Sequence, residues 1–326
     1  MHFFKPILLM RFIILYLFCL LATTTFAQKE TNNWYFGNFA GINFNSGAPV
    51  AVIDGRLTTD EGCSSMSDAN GQLLFYSDGW KVWDRNHQVM PNGVDLLGNF
   101  SSTQSCIIIP KPGSVTEYYI FTVGITGFMP GLRYSIVDLS LNGGNGAVTV
   151  KNELLNPLAC EKLTGIKKSN DEYWILTRGG FGDNSFYAYS IDGAGVNVNP
   201  VLSYSGMIMN PYNVAYSSIG NMKISPNGDK ILTAGRLNGI ELFDFNINTG
   251  VVSNPITISS GHENYYGVEF SPSGQYGYAT FIEKLPGDNN LTHIIQFDVF
   301  ASNVPATVTT IANPITMSPC LQIASD

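Results

Sequence analysis

The feature that most constrains this chain is a strand–turn–strand unit that recurs five times along it. Its clearest copies are Met222-Lys-Ile-Ser-Pro-Asn-Gly228 leading into Lys230-Ile-Leu-Thr-Ala234, and Val268-Glu-Phe-Ser-Pro-Ser-Gly274 leading into Tyr276-Gly-Tyr-Ala-Thr280. Looser copies begin at Ser65, Ile107 and Gly165, with aromatic-rich second strands such as Tyr118-Tyr-Ile-Phe-Thr-Val123. Pro, Asn, Asp and Gly at the turns supply the fixed or positive φ that a tight reversal needs. A third strand closing on an acidic turn follows most copies, for example Phe186-Tyr-Ala-Tyr-Ser-Ile-Asp192 and Ile294-Ile-Gln-Phe-Asp298. A turn such as Asn248-Thr-Gly250 then introduces a fourth strand.

Four antiparallel strands repeating every roughly 40 to 60 residues make the blade of a β-propeller, whose radial repetition leaves only short sheet edges. A solenoid has a shorter period, and a sandwich does not repeat so regularly. The expected fold is all-β, a propeller spanning residues 28–326. Segments 34–44 and 49–53 read as outer strands with no inner hairpin before them. Segment 318–326 reads as the first strand of a new repeat stopped at its turn, as in a chain truncated at its C-terminus. The expected cost is an open ring with an exposed edge.

Residues 1–27 have the layout of a secretory signal: Lys5 and Arg11, an apolar run over 12–22, then Thr25 and Ala27 at −3 and −1 before Gln28. The run is shorter than the roughly 20 residues of a spanning helix, so cleavage is expected rather than anchoring. No later segment is apolar enough to span a bilayer. Cleavage removes two cations and deepens the formal charge of −8. An acidic chain without a basic stripe makes nucleic acid an unsuitable partner. Charged residues are only 13% and aromatics 12%, with 33 glycines, which fits turn-rich sheets rather than disorder. Cys63, Cys106, Cys160 and Cys320 remain, with no close CxxC spacing. They are open to three full disulfide pairings or to none.

Several longer runs resemble a known family. They are Asn33-Trp-Tyr-Phe-Gly-Asn-Phe-Ala-Gly-Ile-Asn-Phe-Asn-Ser-Gly47, Thr59-Asp-Glu-Gly-Cys63, Leu74-Phe-Tyr-Ser-Asp-Gly79, Val82-Trp-Asp-Arg-Asn-His-Gln-Val-Met-Pro-Asn-Gly93, Ser102-Thr-Gln-Ser105 and Tyr266-Gly-Val-Glu-Phe-Ser-Pro272. Together they look like the N-terminal propeller region of large Bacteroidetes surface proteins. Such proteins commonly end in a type IX secretion, gliding-motility-associated sorting domain, often after PKD modules. The resemblance covers essentially the whole mature chain. It implies a seven-bladed, WD40-like propeller that crosses the outer membrane to the cell surface or beyond. It brings no catalytic residues to carry over.

Aligned on their turns, the repeats place Cys63, Cys106, Asn221, Gly267 and Cys320 at one position of the innermost strand. Lys223, Glu269 and Gln322 follow two residues on, and alternation puts them on the same face. Preceding segments add Glu61, Gln104, Glu161, Lys162 and Tyr266. The expected ligand site is therefore the channel mouth, built from Glu61, Gln104, Glu161, Lys162, Lys223, Tyr266, Glu269 and Gln322, and suited to a glycan or peptide. Asp84, Arg85 and His87 match a catalytic trio in composition only; Asp84 and Arg85 are expected to pair and fix a turn. His87, His262 and His293 lack an HExxH pair, so no metal is expected from histidine. Calcium at the turn from Asp244 to Asn248 is a weak alternative. No nucleophile elbow, Walker loop or Rossmann glycine pattern occurs. The sequence reads as a non-enzymatic binding or scaffolding module for extracellular polysaccharide or a surface protein, adhesin-like or gliding-associated. The rival is a glycan-active enzyme using Glu61, Glu161 or Glu269.

Overall fold

The computed structural model describes residues 29–125, 130–168, 171–180, 182–209, 217–259, 264–283, 291–315 and 320–324. The leader-like segment and His262 lie outside these residues. Six antiparallel sheets follow one another along the chain. The first holds β1 (Asn33–Phe36), β2 (Ala40–Asn43) and β3 (Val50–Val52); the second holds β4 (Ser64–Ser67), β5 (Leu73–Ser77) and β6 (Val82–Asp84). The third runs β7 (Cys106–Pro110), β8 (Glu117–Val123), β9 (Leu132–Asp138) and β10 (Ala147–Asn156). The fourth has β11 (Ala159–Lys168), β12 (Glu172–Gly179), β13 (Ser185–Asp192), β14 (Gly195–Val196) and β15 (Val201–Tyr204). The fifth contains β16 (Met222–Ile224), β17 (Lys230–Gly235), β18 (Gly239–Asn246) and β19 (Val251–Ser259). The last contains β20 (Asn264–Phe270), β21 (Tyr276–Glu283), β22 (Leu291–Asp298) and β23 (Thr309–Ile315).

The propeller is therefore six-bladed, not seven-bladed, and its blades have three to five strands rather than a uniform four. Five recurring hairpins and one N-terminal sheet account for all six; a seventh has no hairpin in the sequence. The departures from four strands have local causes. After β6 the chain returns beside it through an isolated bridge from Trp83 to Val89 and through bonds from Met90 N to Val82 O and from Val82 N to Gly93 O, but Pro91 and Asn92 at positive φ keep it from forming a regular fourth strand. In the fourth blade the outer strand splits into β14 and β15, with Pro200 and its missing N–H in the gap.

Successive blades pack through apolar clusters. Leu74, Phe75 and Val82 meet Ile108, Ile120 and Val137 between the second and third. Trp174, Leu176 and Phe186 meet Ile231, Phe243 and Phe245 between the fourth and fifth. The first and second are joined by a column of rings, Tyr35 on Tyr76 at 4.6 Å and Tyr76 on Trp83 at 5.4 Å. Turn glycines are specific where space is tight. Gly71 sits at φ 82°, and a Cβ there would run into Asn45 Oδ1.

Segment 320–324 lies at the inner end of the ring against the fifth and sixth blades. Lys223 Nζ donates to Gln322, and the Ile323 N–H donates to Glu269 Oε2 at 3.3 Å.

Candidate functional site

Within a meander, the loops joining second to third strands and those joining one blade to the next share an end. The predicted channel-mouth residues gather at that end, and most of their polar atoms serve the fold. Gln104 staples two backbone segments with three bonds: its Nε2 donates to the Met222 carbonyl at 3.0 Å, and its Oε1 accepts from Met222 N at 2.7 Å and Leu163 N at 3.2 Å. Lys162, 1% exposed, spends its ammonium on the carbonyls of Ser218, Ile219 and Gly220 at 3.0, 3.1 and 2.9 Å. Burial pulls its pKa down to about 8. Lys223 bridges Gln322 and Glu269, 3.0 Å from the latter's Oε2. Glu269 Oε1 also accepts from the Phe270 N–H.

Glu61, Tyr266 and Glu161 form a second group. Glu161 is buried, and its Oε2 accepts from both the N–H and the hydroxyl of Thr103 at 3.0 Å. Thr103 also hydrogen-bonds Tyr266, whose phenol donates to Glu61. A chain of contacts therefore links Glu61, before β4, to Glu161 in β11 by way of Tyr266 in β20 and Thr103 before β7. Burial, and then the Glu161 carboxylate, push the Glu61 pKa up to about 7, against smaller opposing help from Tyr266 and Arg236. Tyr266 is pushed far up, by burial first. Glu61 Oε2 is enclosed without a hydrogen-bond partner, and so is Asn221 Oδ1. Cys320 touches both Tyr266 and Asn221, and burial raises its thiol pKa.

Of the three carboxylates named as possible acids, the structure brings Glu61 and Glu161 to bear on each other and ties Glu269 to Lys223. The aligned inner position is also visible: Cys63 senses Cys320 on one side and Cys106 on the other, and all four cysteines are free thiols.

Other expectations shift. Asp84 does fix its turn, but by accepting from the backbone of Asn86 and Gln88 rather than by pairing with Arg85. His87 contacts the Tyr76 hydroxyl at 3.2 Å and Asp54 at 3.5 Å, as part of the aromatic column. At the proposed calcium turn both Asp244 oxygens are taken, by Lys230 and by Asn254, and Asn246 caps its own turn. Among the described residues no three His, Cys, Asp or Glu are grouped to hold a metal ion. Nor is any described helix long and apolar enough to cross a membrane.

Sequence reading missed the buried pair Arg178–Glu241, 3.5 Å apart and 2% and 3% exposed by side chain. Arg178 also stacks over Phe186 at 4.6 Å and donates to the Met207 carbonyl, while its Nε is unpartnered. The available signal was a charge on the inward phase of two apolar strands, at Arg178 in β12 and Glu241 in β18.

Outside the axis, the same end of the ring carries uncovered apolar side chains on successive blades. They are Phe39 at 48%, Trp80 at 45%, Phe100 at 50%, Ile125, Leu158 and Ile208. Backbone bonds tie the loops that carry three of them to neighbouring segments. The Phe39 N–H donates to Leu57 O, the Asp60 and Glu61 N–H groups donate to Phe100 O, and Leu96 N donates to Trp80 O.

No family model and no curated protein matches the chain. Solved propellers do resemble it. Hsv2 of Kluyveromyces lactis aligns over 84% of this chain and 73% of that one, with 12% identity and a TM-score of 0.43. The β-propeller domain of Cps50 (Swd1) from Myceliophteria thermophila aligns over 86% and 88%, at 10% identity and a TM-score of 0.47. The Bacteroides ovatus xyloglucan-locus GH43B aligns over 66% of this chain and 41% of its own length, at 16% identity and a TM-score of 0.35. A β-propeller domain and a GH43 protein thus lie side by side, and likeness this distant carries no argument between them.

Proposed function

We propose that the protein is an exported, surface-displayed interaction module whose loop face binds polysaccharide or protein while its axis serves as a rigid hub. One contrast supports this reading. Gln104, Lys162, Lys223 and Glu269 are engaged by backbone or by one another, whereas Phe39, Trp80 and Phe100 are left uncovered around them. A single exposed apolar residue is ordinary; a series at one end of successive blades fits a contact surface. Flat rings such as Trp80 suit sugar rings or partner side chains. Export follows from the leader-like segment before residue 28, and surface display from the family resemblance.

The test is a glycan array probed with residues 28–326, with calcium and with chelator. Defined binding that Trp80→Ala and Phe100→Ala abolish is expected. An array without hits, or hits both variants keep, counts against a glycan-binding loop face. A second reading, glycoside hydrolysis, draws on Glu61: a carboxyl raised by burial beside an ionised partner is the pattern of an acid–base pair. Its test is release of new reducing ends, lost in Glu61→Gln.

A further inference from the structure

We infer that the inner end of the loop face holds a site for a primary ammonium group, built by Glu61 and Asn221 around the Tyr266–Cys320 contact. The inference rests on the loop-face reading for access and deepens it by naming the chemistry of the ligand. Two observations are independent of each other. Glu61 Oε2 is enclosed and unpartnered, although the residue as a whole is only half-buried. Asn221, 4% exposed, carries a second unpartnered acceptor, Oδ1.

The two residues are joined through one set of contacts. Asn221 N–H donates to the Tyr266 carbonyl at 2.8 Å, the Tyr266 phenol donates to Glu61, and the Cys320 thiol meets both Tyr266 and Asn221. Buried polar atoms rarely go without a partner, so two unmatched acceptors together call for a donor. A hydroxyl has one hydrogen and leaves an acceptor bare. An ammonium has three and also brings a positive charge.

The charges facing Glu61 favour that cation. Glu161 and Asp60 are its acidic neighbours. Arg236 is the opposing cation, and its Nε is directed to Asn264 Oδ1. Lys162 lies deeper, its ammonium closed off by three carbonyls. Free of ligand, Glu61 titrates near neutrality. Binding an ammonium stabilises its carboxylate, so association at neutral pH releases a proton from Glu61 to solvent.

Calorimetry of residues 28–326 with propylammonium chloride tests this, run at neutral pH in two buffers of different ionisation enthalpy. Saturable binding with proton release is expected. Affinity should strengthen as pH rises from 6 to 8, and fall at least about tenfold in Glu61→Gln with proton release abolished. Tetramethylammonium, which has the charge but no N–H, should not compete. Competition by glucosamine but not by a lysine amide would name an amino sugar as the source; the reverse would name a protein side chain. Absence of binding, equal binding of tetramethylammonium, or binding unchanged in Glu61→Gln overturns the inference, with water alone filling the space. A glycan-array signal lost in Trp80→Ala without any ammonium binding would refute this site and leave the loop-face reading standing.

Discussion

Replacing Glu61 by Gln should make the protein less sensitive to rising pH. The folded-state pKa is raised from 4.5 to about 7, first by burial and then by Glu161. A carboxyl raised on folding binds its proton more tightly in the native state. Its contribution is full below the unfolded value and is lost as pH climbs through the folded one. The window is therefore about pH 4.5 to 7. A shift of about 2.5 units corresponds to ~3.4 kcal/mol, but Glu61 is partly open to solvent, and screening reduces this to roughly 1–2 kcal/mol. Glutamine keeps the shape and cannot ionise. Urea unfolding of both proteins from pH 5 to 8 reads the difference between them, which cancels the other titrating groups. Wild type should lose about 1–2 kcal/mol relative to Glu61→Gln across that interval. A difference that stays flat, or that favours wild type as pH rises, would show that Glu61 is neither desolvated nor facing Glu161.

Other consequences are as specific. Gln104→Ala removes three hydrogen bonds and leaves backbone groups of Leu163 and Met222 unpaired, so the urea midpoint should fall by about 2–4 kcal/mol equivalent. Arg178→Met should cost about 3–5 kcal/mol by stranding Glu241, and adding Glu241→Met should recover most of it in a double-mutant cycle. Gly71→Ala combines positive φ with a clash on Asn45 and should lower stability by more than about 1 kcal/mol in the same assay. Trp80→Ala should leave that midpoint within about 0.5 kcal/mol while removing ligand binding, because its ring is half exposed.

The propeller was legible because turn chemistry and strand alternation are local: Ser-Pro-Asn-Gly at 225–228 and Ser-Pro-Ser-Gly at 271–274 sit at the hairpin turns of β16–β17 and β20–β21. Blade number was not: the five recurring hairpins leave out the N-terminal sheet, which lacks that signature, and seven came from a resemblance. Turn alignment also placed Lys223, Glu269 and Gln322 together, because a shared phase in the inner strand is a shared face. It could not reveal what those groups do. That Lys162 points at three carbonyls, or that Gln104 reaches Met222, depends on contacts spanning more than fifty residues. Asn221 was aligned to the axis but passed over. An amide matters only once its neighbours are known to leave it unpaired.

The most direct test is to incubate the array-positive glycan with wild-type protein and follow the retained ligand by mass spectrometry. A binding module predicts glycan of unchanged mass, held by wild type and released by Trp80→Ala. Shortened glycan from wild type, but not from Glu61→Gln, would contradict that account and make the Glu61–Glu161 pair catalytic.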